Sequence, residues 1–415
     1  MSQPRIGILG GGQLAQMLGE SAYELQVETA LYTSDTEAPA IQACDESFIG
    51  PFKEKPLKAF FEQVPVVAFE NEFLDCQLLE RAAQGTGVRF LPPLSSIEIL
   101  QDKLRQKELL VHLEIPTAPF VPLASQDPVE KQIEQAVATL GPRIVFKWAR
   151  QGYDGHGVFL ADFAPTDGRA PTTAALLEPF LARAAERQIP VYAEKRVEFR
   201  RELAIVSVLG LNGVLGAKNV AGRANGDFVH YPLVITEQNH GICSMVVGPA
   251  TSLGVEPQLE QEARRSAEQL ARAVGLVGAF AIEFFEDASG TLLVNEIAPR
   301  VHNSGHYSQD AARASQFENH VRAVAGLELV EPETRPVFAM LNLIGPHGVT
   351  CRPSELPPDP PEGLVLHWYG KSEIRPRRKV GHVNAAGDSP NEISGLQFKL
   401  NLYLEEWTQW AQSQQ

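Results

Sequence analysis

Two glutamates, Glu283 and Glu296, flank a short polar turn inside an otherwise apolar stretch. Residues 279–285 and 291–297 read as strands, and Glu286-Asp-Ala-Ser-Gly290 between them is a hairpin signal. The simplest register sets Glu283 against Val294 and Glu296 against Ala281. The two acids are then diagonal neighbours on one face, about 7–8 Å apart. Carboxylates so placed suit Mg2+, a hard cation that takes oxygen ligands and keeps water while it bridges phosphates; Mn2+ is a possible substitute. An unpaired carboxylate among Ile282, Phe284 and Phe285 would be costly. The bland alternative is a solvated edge with two surface acids. Strand alternation points Asn295 away from Glu296.

Two glycine-rich loops could receive phosphate. Gly10-x-Gly12-x-x-Ala15 lies between an apolar run and an amphipathic one, with Asp35 twenty residues after Ala15, where a ribose-binding acid would lie. Its physical content is an anion seat at a helix N-terminus, so it predicts a phosphate rather than a nicotinamide cofactor in particular. A tight strand–helix turn without ligand is the alternative. In the second loop, Lys147 ends a strand and Gln151-Gly-Tyr-Asp-Gly-His-Gly157 follows. Main-chain N–H groups of such loops cover phosphates; an ordinary surface turn is the alternative. The order is not that of a Walker A loop.

Asn295-Glu-Ile-Ala-Pro-Arg-Val-His-Asn-Ser-Gly-His306 is a dense polar run in which Arg300 can grip a small anion at two points. His302 and His306 are four apart but lack the Glu of a zinc helix. Ser304 lacks the context of a hydrolase nucleophile. Glu194-Lys-Arg-Val197 closes a strand, with Glu202 beyond it. A crevice for adenine and ribose or a solvated strand end would both fit. The cluster Lys371, Arg375, Arg377, Arg378 and Lys379 is a phosphate clamp or a solvated basic turn.

These residues need a scaffold. Residues 5–9 read as a buried strand and 13–25 as a helix with Leu14, Met17, Leu18 and Ala22 on one face. Strands at 27–32 and 64–69, with a helix at 73–84, predict a parallel sheet covered on both faces. A helix at 101–113, strands at 144–148 and 158–160, and a helix at 172–187 follow. Strands then recur at 190–197, 202–209 and 228–235, and 257–274 is a long amphipathic helix. The last segment has strands near 337–343 and 364–369, a loop with five prolines at 351–363, and a final helix rich in Trp and Leu.

Composition narrows the class. The 415 residues are 44% hydrophobic and 21% charged, enough for a large core spread over two to four domains. The 33 glycines and 30 prolines are too few for a collagenous or low-complexity chain. A formal charge of −15 argues against nucleic acid as a partner. The four cysteines are scattered, without a metal or redox spacing, and read as reduced thiols in a cytoplasmic protein. No run reaches the roughly 18 apolar residues of a membrane helix, and no signal peptide is evident.

Taken in order, the motifs resemble those of the ATP-grasp ligases. They are the GGGQLA loop from Gly10, Lys103, Lys147 with its Gly-Tyr-Asp-Gly loop, Glu194-Lys-Arg-Val197, Arg201-Glu202-Leu203, Glu283, and the run from Asn295 to His306. Tyr231-Pro-Leu233, Ser315-Gln-Phe-Glu318, Leu366-His-Trp-Tyr-Gly-Lys371 and Arg375 to Asn384 narrow the resemblance to the N5-carboxyaminoimidazole ribonucleotide synthetases. The resemblance implies an α/β chain in three parts. A Rossmann-like parallel-sheet domain covers 1–100. An ATP-grasp domain covers 101–330, with a lid at about 120–194. A small C-terminal domain covers 331–415. It also implies carboxylation of 5-aminoimidazole ribonucleotide by ATP and bicarbonate, through carboxyphosphate, in a cytoplasmic homodimer.

The resemblance assigns roles as well. Lys103, Lys147, Gly152, Tyr153, Asp154, Gly155, His156 and Gly157 would contact ATP phosphates. Glu194, Lys195, Arg196 and Val197 would hold adenine, Glu202 and Gln238 the ribose, and Asn295 the nucleotide. Glu283 and Glu296 would bind Mg2+. Gly12, Gln13, Leu14, Glu72, Tyr153, Asp154, His302, Asn303 and Ser304 would hold the ribonucleotide, with Lys371 and Arg378 on its phosphate. Arg300 would orient bicarbonate, and Asp154 would accept the amine proton. The chain departs from the family at Gln151, where glycine is common, and at Lys103, His156 and Gln238. A nicotinamide-dependent oxidoreductase built on the first loop is the rival; it leaves the hairpin acids idle. A non-catalytic nucleotide-binding protein is a third reading.

Overall fold

The structure is a computed structural model that describes residues 4–152, 157–163, 170–211 and 228–415. Five parallel strands form the first sheet: β1 (Arg5–Leu9), β2 (Glu28–Thr33), β3 (Glu46–Ile49), β4 (Val66–Phe69) and β5 (Arg89–Phe90), in the order β3-β2-β1-β4-β5. Helices α1 (Gln13–Glu24), α2 (Glu54–Phe61), α3 (Cys76–Ala83) and α4 (Leu94–Leu100) accompany them. β3, α2 and β5 were not anticipated, because they are short and weakly patterned. Gly12 caps α1, and Leu14, Ala15, Met17, Leu18 and Ala22 are buried at helical spacing.

The expected helix at 101–113 begins at Lys103. Asp102 caps α5 (Lys103–His112) by accepting the N–H groups of Leu104 and Arg105, each at 3.1 Å. A four-stranded antiparallel sheet follows, in the order β6-β9-β7-β8. Its strands are β6 (Phe120–Pro122), β7 (Arg143–Trp148), β8 (Val158–Asp162) and β9 (Val191–Lys195), with α6 (Val129–Leu140) and α7 (Ala170–Glu186).

The largest sheet has nine strands among the described residues. They are β10 (Phe199–Leu209), β11 (Phe228–His230), β12 (Val234–Asn239), β13 (Ile242–Gly248), β14 (Gly278–Asp287), β15 (Leu292–Ala298), β16 (Val337–Ile344), β17 (Leu364–Trp368) and β18 (Lys379–Gly387). The order is β15-β14-β10-β12-β13-β16-β18-β17, with β11 on β10. The expected strand at 228–235 breaks at Tyr231-Pro-Leu, since Pro232 has no N–H to donate to a ladder. The 331–415 segment makes no separate sheet: β16, β17 and β18 continue the one begun at β10. β18 escaped the pattern reading because its buried face carries His382 and Asn384.

Helix α8 (Pro257–Val274) opens on a proline and closes on Gly275 at φ 70°, a left-handed cap. Two short helices, α9 (Ser308–Ala311) and α10 (Gln316–Ala325), follow β15, and α11 (Ile393–Ser413) ends the chain. The first sheet and the large one share a core. Ile6, Ile8, Leu14 and Leu18 pack with Val206, Val208, Phe317 and Val321, all buried. Each such side chain contributes about 1.5–3 kcal/mol over its exposed state. Among the described residues no helix is long and apolar enough to cross a membrane.

On the far side, α11 lies against β16 and β18 through Leu400, Tyr403 and Trp407, all fully buried. Trp407→Ala should therefore lose about 3–5 kcal/mol, seen as a lower midpoint in urea denaturation. A loss well under ~1 kcal/mol would show that α11 does not seal this face.

Candidate active site

The hairpin is tighter than its sequence suggests. Asp287 Oδ1 accepts the N–H groups of Ser289 (2.8 Å) and Thr291 (2.9 Å) and closes the turn. The register then shifts between Glu283 and Phe284. Phe284 pairs with Val294 but Glu283 pairs with Glu296, so Asn295 is an extra residue in β15, a β-bulge. This corrects the diagonal placement: the two acids face each other directly. Asn295 is likewise not turned away from the site, for its Oδ1 accepts from Lys147 Nζ at 3.0 Å.

Burial, then Glu296, then Glu202 push the Glu283 carboxyl up to about 7. Lys103 Nζ donates to Glu296 Oε2 at 2.8 Å. Opposed oxygen donors that repel one another fit a divalent cation. No group of three or more His, Cys, Asp or Glu with metal-holding geometry occurs among the described residues. Two carboxylates suit Mg2+, which takes its remaining ligands from water and phosphate.

Beside the acids lies a lysine cluster. Buried Gln106 donates to Ile297 O (2.8 Å) and accepts from Ile297 N (3.0 Å), which satisfies the edge of β15 and docks α5 on it. Lys103 and Lys107, one turn apart, then point at the hairpin. Lys107 is 1% exposed; its Nζ donates to Glu194 Oε1 (2.8 Å), Thr117 Oγ1 (2.6 Å) and Val294 O (3.2 Å). Burial drives it down to about 8 against the pull of Glu194. Sequence reading missed Lys107, although its spacing of four from Lys103 on a helix was a usable signal.

Burial works to raise Glu194, but Lys147 (2.8 Å) and Lys107 outweigh it and hold the carboxyl below its ordinary value. The Glu194 side chain, expected beside adenine, thus grips two lysines. Lys195 and Arg196 are exposed and Val197 is half-buried as the chain leaves β9. Glu202 lies on β10 near Glu283. Burial raises it, and Gln238 hydrogen-bonds to it.

The second glycine loop is described at its ends only. Gly152 is buried, and the Gly157 carbonyl accepts from Trp148 N at 2.8 Å. Gln151 adopts φ 60°, the left-handed region that favours glycine. Tyr153, Asp154, Gly155 and His156 lie outside the described residues.

At the first loop the expected phosphate seat holds a carboxylate of the chain itself. A Cβ on Gly12 would overlap Glu70 Oε1, and one on Gly10 would sit 2.5 Å from Oε2. Burial raises Glu70, opposed by the Gly12 N–H, Arg300, Lys371 and Asn71. The strand–loop–helix is real, but Glu70 occupies the place of the expected anion. Asp35 caps its own turn by accepting Glu37 N at 2.9 Å. Gln13 and Leu14 begin α1 beside this carboxylate.

Arg300 and Glu72, expected to hold two different groups, hold each other. Arg300 Nε donates to Glu72 Oε2 and Nη2 donates to Oε1 (3.1 Å), while Nη1 donates to Val301 O (3.1 Å). Of five guanidinium N–H groups, one on each Nη is left by these bonds. His302 Nδ1 accepts from Ser304 N (3.3 Å) and meets Ser304 Oγ (2.9 Å), so its proton sits on Nε2, 3.5 Å from Glu283 Oε1. Burial, Arg300 and Lys379 hold the ring far below its ordinary pKa, so it is neutral. Asn303 exchanges hydrogen bonds with Asn342 at 2.8 and 2.7 Å. Lys371 Nζ donates to Lys379 O (2.7 Å), and Arg378 Nη1 donates to Glu373 O (3.0 Å). The structure therefore gathers the two opposed acids and the lysines tightly. Arg300, Asn303 and Glu194 carry internal bonds that sequence reading did not foresee.

Three family models match in succession. They are the ribonucleotide synthetase preATP-grasp domain over residues 3–101, the ATP-grasp domain over 108–317, and the phosphoribosylaminoimidazole carboxylase C-terminal domain over 339–395. The chain is 34% identical to an N5-carboxyaminoimidazole ribonucleotide synthase of Synechococcus elongatus, over 91% of this chain and 88% of that one. The crystal structure of the Thermus thermophilus synthetase matches with a TM-score of 0.77 at 32% identity, over 97% of this chain and 98% of that one. The Aspergillus clavatus enzyme, solved with ADP and 5-aminoimidazole ribonucleotide, matches with a TM-score of 0.78 at 27% identity, over 97% and 99%. Family models, sequence relatives and fold agree over the whole chain, and the chain belongs to the N5-carboxyaminoimidazole ribonucleotide synthase family of ATP-grasp enzymes.

Proposed function

We propose that the chain uses ATP and bicarbonate to carboxylate 5-aminoimidazole ribonucleotide on its exocyclic amine, a step in purine biosynthesis. The observation that carries this reading is Glu283 directly opposite Glu296, with Lys103 bonded to Glu296 and Lys147 and Lys107 beside them. A bicarbonate oxygen attacks the γ-phosphorus and ADP leaves, giving carboxyphosphate. Its C–O bond to the phosphoryl group breaks, releasing phosphate and CO2 beside the amine. The amine nitrogen bonds to carbon and loses a proton, for which Asp154 is the assigned acceptor.

Glu283 and Glu296 would hold Mg2+, which neutralises charge on the transferring phosphoryl group when bound. Lys103 and Lys147 supply fixed positive charge to the phosphates, with Lys107 beneath them. Gly152 to Gly157 cover them, and Glu194 to Val197, Glu202, Gln238 and Asn295 line the nucleotide. Arg300, oriented by Glu72, presents its remaining N–H groups to bicarbonate. Gly12 to Leu14 and His302 to Ser304 border the ribonucleotide, whose phosphate falls to Lys371 and Arg378. The assignment also carries domain boundaries near 100 and 330, a homodimer and a cytoplasmic location.

ADP release should require both bicarbonate and the ribonucleotide. Release indifferent to both would favour a non-catalytic nucleotide binder. Glu296→Gln should lower turnover at limiting Mg2+ at least about a hundredfold, since outer-shell losses alone cost about 10–100-fold; unchanged turnover would remove Glu296 from the metal. Asp154→Asn should slow carboxylation yet leave the ATP dissociation constant within about twofold, as a proton acceptor adds little to ground-state binding. Parallel loss of both would make Asp154 a nucleotide contact.

A further inference from the structure

The N-terminus of α1 behind a glycine loop is the usual place for a bound phosphate. Here the place is taken from within. Glu70 leaves the end of β4, and its two carboxylate oxygens fill the space over Gly12 and Gly10, where any Cβ would collide with them. The Gly12 N–H donates to this carboxylate, Asn71 bonds to it, and Arg300 and Lys371 lie close enough to favour its charge. Gly10 and Gly12 therefore leave room for the Glu70 carboxylate over the loop, where a phosphate would otherwise sit.

The geometry points to Glu70 as a specificity-determining residue, an internal anion that bars phosphate from the α1 loop. It rests on the ribonucleotide reading above. A ribonucleotide has two polar ends, a phosphate and a base, and could settle against this loop either way round. With a carboxylate fixed at the loop, a phosphate there meets like charge, while the loop remains open to hydroxyl and amine donors. The phosphate is then left to the basic segment of Lys371 and Arg378, and the amine to the side of Arg300, whose charge both Glu70 and Glu296 attract. Glu70 acts by excluding the reversed pose rather than by touching the reacting atoms.

The test uses inorganic phosphate as the probe, titrated calorimetrically into the full chain without nucleotide. Like-charge contact costs several powers of ten when unscreened, so Glu70→Ala should bind phosphate at least about tenfold more tightly than the natural chain. In ADP-release assays phosphate should become competitive with the ribonucleotide. The ribonucleotide KM should rise at least about tenfold while the ATP KM stays put, since a reversed pose is now allowed. Equal phosphate affinity in the two proteins overturns the proposal, as does an ATP KM that rises in step. If Glu70→Ala does not fold, Glu70→Gln, which keeps the shape and an acceptor for Gly12, decides by the same readings. The phosphate titration needs no turnover. A natural chain that never releases ADP with ribonucleotide and bicarbonate would defeat the functional reading, while the phosphate titration would still report the charge held at the loop.

Discussion

Two carboxylates face each other across one hairpin, and much of the site is arranged around their repulsion. Glu283 and Glu296 stand opposite because β15 carries one residue too many, Asn295. With Glu202 close by, three acids share a half-buried space, and the Glu283 carboxyl is driven well above its ordinary range. Such an arrangement is stable only with positive charge nearby. Lys103 answers for Glu296, and the remaining demand suits a small divalent cation.

The lysines have the complementary problem. Lys107 is enclosed, and burial weakens its hold on a proton. Glu194 lies between Lys107 and Lys147 and takes one oxygen to each. Removing the glutamate would leave two cations in a poorly hydrated space, a change that typically costs about 3–5 kcal/mol. Glu194 therefore keeps the lysine cluster preorganised. The Arg300–Glu72 fork does similar work between the two sheets, linking the exit of β15 to the loop after β4.

Much of this was legible in the residues. The parallel first sheet, the long helix 257–274, the hairpin and the polar run after it all follow from periodicity and turn chemistry. What escaped has a physical cause in each case. A bulge is invisible to a rule of alternation, which sets Glu283 against Val294 and turns Asn295 outward. Lys107 and Gln106 lie on a helix whose buried face is partly polar, which hides it from a search for apolar stripes. Glu70 sits two residues before Glu72, and a glycine loop suggests an external anion rather than an internal one. Arg300, Asn303 and Glu194 read as ligand contacts in the sequence because it shows a polar side chain but not the partner that already holds it.

The unbroken run of strands from β10 through β18 bears on how the chain can be cut. β13 is flanked by β12 and β16, and Met245 and Val247 are buried with residues of β16 and α11. A protein shortened near residue 330 would leave one whole side of β13 as bare amide and carbonyl groups beside uncovered apolar side chains. Such an unprotected margin invites stacking with other chains. The terminal eighty-odd residues thus act as a stopper that keeps the central sheet from growing into its neighbours.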